Sequence, residues 1–302
     1  MPKLSIVIAT YNRAEALVRT LDSFVEQTLD PVLWEIVTVN NNSADNTDAR
    51  FAAWQAAHPK INARIVFEGK QGLSCARNCG IEASKGEYIA IIDDDELVNI
   101  RFCEAYYTFF KTETSAAGAG GRIVPLYEYP VPVWLTKYTE RPIAGTLDLG
   151  EKCIPFPQRK FPGGGNMAIR RSILKKYDAF NPALGRTGNI PLAGEEKELF
   201  RRLHRAGEKI YYIPDAIIYH VIPESRFEPA YFRRLTRMSG VSERIRTLQH
   251  SLLAYLMRLL GEVVRWAMTL ALALVYLLRG TPSKGGYLIH MRWNITRGLL
   301  GG

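Results

Sequence analysis

The stretch YIAIIDDDE, Tyr88 to Glu96, decides how this chain is read. Its apolar half does not alternate with polar residues, as expected of a strand buried on both faces within a parallel sheet. It then runs directly into Asp93, Asp94 and Asp95. Three adjacent carboxylates repel one another at low dielectric, and a bound cation is their natural compensation. Hard oxygen ligands suit Mn²⁺ or Mg²⁺, which complete their shells with water and phosphate. A solvated acidic turn, or caps for a helix beginning near Asn99, would serve an isolated run equally well. The buried strand in front of it favours the ligand site.

Outward from that stretch, strand and helix alternate. LSIVIA (Leu4–Ala9) is a β-branched run that stops at Thr10, and helical spacing follows from Glu15 to Gln27. WEIVTV (Trp34–Val39) ends in a cluster of asparagines before a helical stretch from Asp45 to Ala57, and Ala63–Phe67 and Ser74–Ser84 give a third strand and helix. Such alternation predicts βαβ units in an open, mostly parallel α/β sheet flanked by helices, Rossmann-like in its first half, with ligands beyond the carboxyl ends of the strands. Arg122–Phe161 is rich in Pro and Tyr and reads as strands and loops forming the far wall of a cleft. Leu199 and Leu203 mark a later helix, and Ile210–Ile213 and Ala216–His220 read as two late edge strands.

Four motifs occur in order: SIVIATYNR (5–13), NNNSADNT (40–47), GLSCARNCGI (72–81) and AIIDDDE (90–96). With GGGNMAIRR (163–171) and GEEKELFRRLHRAG (194–207), this set resembles the family-2 glycosyltransferases of GT-A fold, in particular the bacterial membrane-associated kind that assembles glycans and polysaccharides. The resemblance implies a catalytic domain over residues 1–225, divided into a nucleotide-sugar half (1–121) and an acceptor and catalytic half (122–225). It places Thr10, Tyr11, Arg13, Asn40, Arg77 and Asn78 at the nucleotide-sugar, with Asp93 and Asp94 toward the ribose and the water shell of the metal. Asp95 is the implied metal ligand, and Asp93 and His220 are further candidates. Asn40 departs from the aspartate that the family commonly carries, and an amide can donate as well as accept. Arg77 and Asn78 could equally be a surface residue and a packing amide.

An acceptor hydroxyl is a poor nucleophile, so direct displacement requires a general base. Glu196 is the implied base and Glu195 its orienting or acceptor-binding partner, although acids at a helix start also stabilise the helix dipole. Gly163, Gly164 and Gly165 permit close backbone approach, with Gly164, Gly165 and Asn166 assigned to donor or acceptor sugar. His220 could equally be structural.

Charge is distributed unevenly. Residues 1–225 balance at 27 basic and 27 acidic side chains, whereas 226–302 carry 12 against 3, the entire formal excess of +9. That tail reads as a helical membrane-association region. Its uncharged run Trp266–Leu278 is 13 residues, about 20 Å as a helix, too short to cross a hydrocarbon core of about 30 Å. Ser251, Arg258, Glu262, Arg265 and Thr269 form one polar stripe on an otherwise apolar helix, suggesting an amphipathic segment in the interface plane. Arg233, Arg234, Arg237, Arg244, Arg246 and Trp266 would then meet anionic head groups. A helical cap or a homo-oligomer interface through these helices is the rival reading. Nucleic acid is not an expected partner.

Cys75, Cys79, Cys103 and Cys153 have neither metal-site nor disulfide spacing and read as reduced thiols. With no signal-peptide pattern at Met1, the expected location is the cytoplasmic face of a membrane, peripheral or monotopic. The full expectation is a metal-dependent inverting hexosyl- or N-acetylhexosaminyltransferase using a UDP-sugar and a lipid-linked or surface-polysaccharide acceptor. A silent membrane-bound nucleotide-sugar sensor and a sugar nucleotidyltransferase are the alternatives. The second would need a glycine-rich phosphate loop that ATYNRAEA lacks.

Overall fold

A computed structural model describes residues 1–157, 160–186 and 194–301. Its elements in order are β1 (Leu4–Thr10), α1 (Ala14–Asp22), β2 (Trp34–Asn40), α2 (Thr47–Ala57), β3 (Ala63–Phe67), α3 (Leu73–Ala83), β4 (Tyr88–Asp93), β5 (Glu96–Val98), α4 (Phe102–Thr112), β6 (Ala116–Tyr127), α5 (Lys137–Ala144), β7 (Ile154–Pro155), β8 (Met167–Arg170), α6 (Arg171–Lys176), α7 (Glu195–Arg205), β9 (Lys209–Ile222), α8 (Pro229–His250), α9 (Leu252–Leu278) and α10 (Pro282–Leu300).

The strands form one sheet in the order β3-β2-β1-β4-β8-β6-β9-β5, with β7 also on β9. The first four are parallel, as the alternating pattern requires. Every residue of β1 and β2 is buried, because helices cover both faces. Beyond β4 the sheet becomes mixed: β8 is antiparallel to β4 and β6, and β9 to β5 and β7. The two late strands expected from sequence are one continuous β9.

The chain divides into two compact units. The first holds Met1–Pro125, Thr146–Ile190 and Gly194–Val221, and the second is built from Leu126–Gly145 and the chain from Ile222 onward. The stretch expected to be a cleft wall of strands and loops is therefore shared between units and includes α5, whose N-terminus Thr136 and Thr139 close with a capping box. Gln158 and Arg159 of that stretch lie outside the described residues.

In the first unit, α3 lies against β1 and β2 at Gly80, where a Cβ would stand 2.4 Å from Val7 Cγ1 and 2.9 Å from Val39 Cγ2. Only glycine allows that approach, which brings Arg77, one helical turn earlier, beneath the carboxyl ends of the strands.

In the second unit α9 is a continuous helix of 27 residues, long and apolar enough to cross a membrane. The 13-residue uncharged run underestimates it, because Arg258 and Glu262 before the run are paired within the unit itself. Arg258 Nη1 is 2.6 Å from Glu262, and Arg292 Nη1 of α10 is 3.1 Å from the same carboxylate. Thr296 Oγ1 donates to Glu262 Oε1, and Trp266 Nε1 donates to Thr296 Oγ1. Arg258, Glu262 and Thr269 of the polar stripe thus face inward while Ser251 and Arg265 remain exposed, and Trp266 donates its N–H to α10. Leu256, Leu260, Val264, Met268 and Leu274 face outward and are about half exposed or more. The amphipathic helix is present with its polarity inverted relative to a helix on a soluble core.

Candidate active site

At the carboxyl end of β4 the three aspartates find two arginines. Arg13, just after β1, donates from Nη1 to Asp94 Oδ1 (2.7 Å) and from Nη2 to Asp95 Oδ2 (3.1 Å). Thr10 Oγ1 also donates to Asp94. Arg77, 1% exposed, donates from Nη2 to Asp93 Oδ1 (2.7 Å) and to Gly164 O (2.9 Å), and from Nη1 to Glu195 Oε1 (2.9 Å). Part of the positive charge that the aspartate run demands is therefore intramolecular. Two guanidinium groups do not neutralise Asp93, Asp94, Asp95 and Glu195 together, so the cluster keeps a net negative charge that a cation can meet.

The pKa shifts follow the burial. Burial, with Asp95 and Asp93 alongside, pushes Asp94 up to about 7 against the pull of Arg13 and Thr10. Burial works against the Arg77 charge, but Asp93 and Glu195 on either side hold its pKa above the ordinary value.

Glu195 and Glu196 open α7 behind Gly194, whose φ of +123° suits glycine. Glu195 is buried and held by Arg77, and its other oxygen accepts from Gly194 N. Glu196 turns toward Gly164: its Cγ lies 3.8 Å from where a Cβ on that glycine would be. Burial first, and Glu195 second, push Glu196 up to about 7. The two acids thus have divergent environments, one locked by an arginine and the other pushed up to about 7.

Several residues assigned to ligands are engaged by the protein itself. Asn166 is fully buried; it accepts from Tyr106 OH (2.6 Å) and donates to Arg122 O and Ala216 O. Its amide therefore ties strands together in place of the sugar contact expected of it. Asn78 spends both ends of its amide on Phe180, donating to the carbonyl and accepting from the N–H. Asn40 donates to Asp48 and accepts from Ser43 N, which shapes the loop after β2 and leaves no hydrogen-bonding atom of its side chain idle. Tyr11 is 41% exposed. Gly164 lies against Arg77 and Glu196, and Gly165 against Glu96.

Glu96 was not singled out by sequence. It is buried, accepts from Asp93 N, and lies against Gly165, where a Cβ would stand 1.9 Å from Oε1. Burial, then Asp93 and Asp95, push its pKa well above the ordinary value. A glycine two residues after Gly163 and an acid directly after the aspartates are its only sequence traces.

His220 is opposite Glu96 in the β5–β9 register, and its Nε2 is 3.7 Å from Asp95 Oδ2. A carboxylate oxygen beside an imidazole nitrogen, in a cluster short of positive charge, fits a Mn²⁺- or Mg²⁺-type cation. Among the described residues no group of three or more His, Cys, Asp or Glu forms a ready-made cage. Few protein ligands, with phosphate and water completing the shell, is the usual arrangement for such ions.

Residues 5–178 match the model of glycosyl transferase family 2. The chain belongs to that family. As a glycosyltransferase it is 24% identical over 258 residues to the glucosyl-dolichyl phosphate glucuronosyltransferase of Haloferax volcanii, covering 82% of this chain and 78% of that one. It is 27% identical over 247 residues to the succinoglycan biosynthesis protein ExoM of Rhizobium meliloti, covering 78% and 72%. A mannosyltransferase from Pyrobaculum calidifontis, solved with GDP-Man and Mn²⁺, superposes with a TM-score of 0.61 at 17% identity over 99% of this chain and 88% of that one. Staphylococcus aureus TarS with UDP-GlcNAc gives 0.57 at 17% identity, over 80% of this chain and 66% of that one. These two likenesses establish the GT-A fold.

Proposed function

We propose that this glycosyltransferase is metal-dependent and inverting, and that it moves one sugar from a uridine-linked nucleoside-diphosphate sugar to a lipid-linked or surface-polysaccharide acceptor at the cytoplasmic face of a membrane. The observation that carries this reading is Glu196, poised near neutrality at the mouth of the site while its neighbour Glu195 is held by the arginine that also holds Asp93.

Glu196 takes the proton of the acceptor hydroxyl as that oxygen bonds to the anomeric carbon, and the bond from that carbon to the diphosphate breaks. A single displacement inverts the configuration and releases the nucleoside diphosphate. Arg77 fixes Glu195 and, through Gly164 O, the loop beside the base, so the distance between base and donor is set by one rigid group. Asp93 and Asp94 face the ribose and the metal's water shell. Asp95 and His220 would hold the cation, which when bound compensates charge on the leaving diphosphate. The uridine preference draws support from the TarS neighbour, and the acceptor class from the names of the two sequence relatives. The outward apolar face of α9 supports membrane attachment.

The test is a panel of UDP- and GDP-sugars, with and without Mn²⁺, read as the rise in melting temperature of the purified protein. A metal-dependent rise with UDP-sugars supports the reading. A rise confined to GDP-sugars would correct the base, and no response to any donor would overturn the reading.

A further inference from the structure

The second unit contains a basic cavity that the transfer reaction does not use. It is a half-open pocket of about 600 Å³ between α8 and α10, lined by Arg233, Arg234, Arg237, Arg244 and Arg297, with Asn294 at its wall and no acidic side chain among its lining residues. Asn294 is only 3% exposed, yet its Nδ2 finds no hydrogen-bond partner, and neither does the buried Nε of Arg244. A buried amide donor left unmade costs free energy unless something accepts from it. Glu243, the acid nearest in sequence, is engaged by Arg246 and Arg258. The two helices meet backbone to backbone: a Cβ on Gly240 would lie 2.1 Å from Ile295 O, and one on Gly298 2.1 Å from Arg237 O. The arginines therefore project from a rigid frame.

We propose that this cavity binds the phosphate of a membrane lipid. Guanidinium groups pair with phosphate through parallel N–H donors, and the idle amide of Asn294 supplies a further, directional donor. Arg237 has a partner of its own, and the remaining Arg233, Arg234, Arg244 and Arg297 still exceed what one carboxylate needs and suit a phosphate monoester or diphosphate. The volume accommodates such a group together with its first substituent. A lipid, in preference to free phosphate, is indicated by α9 of the same unit, whose outward apolar face offers a surface to acyl or prenyl chains. The inference rests on the membrane-attachment reading above and assigns a lipid-headgroup site within the same unit as α9.

The experiment is sedimentation of the full chain with phosphatidylcholine vesicles containing phosphatidic acid, a monoester, or phosphatidylglycerol, a diester, at matched surface charge. At least tenfold tighter binding to the monoester vesicles is expected. That preference should be lost in the triple variant R233A/R234A/R297A and in Asn294→Asp, which keeps the shape of the side chain and sets a carboxylate against the arginines. Nucleotide-sugar should still raise the melting temperature of both variants, which separates this test from the donor reading. Equal binding to both anionic vesicles would reduce the arginines to a bulk electrostatic patch and overturn the proposal. So would wild-type preference in the variants, or release of the protein by inorganic phosphate, which would mark a free-anion site. Binding to none of the vesicles would also remove the membrane reading.

Discussion

Arg77 Nη1 lies 2.9 Å from Glu195 Oε1, joining the helix beneath the donor strands to the first residue of the helix that carries the candidate base. Both side chains are at most 5% exposed. Removing one partner leaves a buried charge uncompensated, so Arg77→Met should lower stability by about 3–5 kcal/mol. Denaturant unfolding measures this; a loss below about 1 kcal/mol would show that the pair is dispensable.

Glu196→Gln keeps the shape and removes the basicity. The turnover rate should fall by about 10²-fold or more, while nucleotide-sugar still raises the melting temperature. A variant with undiminished turnover would exclude Glu196 as the base.

The same residue gives a pH signature. As the base must be ionised, kcat/KM should rise with pH and level off above about 7. The stability effect has the opposite sign: because the folded pKa is raised, the native state binds the proton more tightly than the unfolded chain. That contribution is fully present below the ordinary value of 4.5 and is lost as pH rises through about 7. Melting curves of the wild type and Glu196→Gln should coincide below about 4.5 and separate as pH rises through about 7, with the wild type becoming the less stable of the two; parallel curves would contradict the assignment.

Gly165→Ala forces a methyl group into the Glu96 carboxylate and should cost about 1–3 kcal/mol through overpacking. Glu96→Gln should be nearly silent in stability, since burial already favours the uncharged form. A harmless Gly165→Ala would show that Glu96 can move aside.

Asp95→Asn and His220→Ala should each weaken the Mn²⁺ dependence of donor binding by at least about tenfold. The measurement is the Mn²⁺ concentration giving half of the melting-temperature rise, and unchanged values in both variants would move the metal elsewhere.

The first half of the fold was legible because β1, β2 and β4 are apolar runs that need no distant partner to be recognised. The aspartates, Arg77 and Glu195 were legible as a set through their motifs. The contacts among them were not, since Arg77 Nη1 and Glu195 are 118 residues apart in the chain. Asn40, Asn78 and Asn166 look alike in sequence whether an amide faces a ligand or a backbone carbonyl. Only the folded position of Phe180, or of Ala216, distinguishes the two. For α9, Arg258 and Glu262 pass for a solvated stripe until Arg292 is brought against them.

The close seat of α3 at Gly80 extends beyond packing. A substitution there alters no charge and touches no reacting group, yet a methyl would lift α3 off the sheet and carry Arg77 away from Asp93 and Glu195 together. Donor grip and base placement would then fail in proportion. A defect of that kind is recognisable because changing the sugar, the nucleotide or the metal concentration would rescue neither, whereas shortening Val7 and Val39 together to alanine would make room for the methyl and restore both.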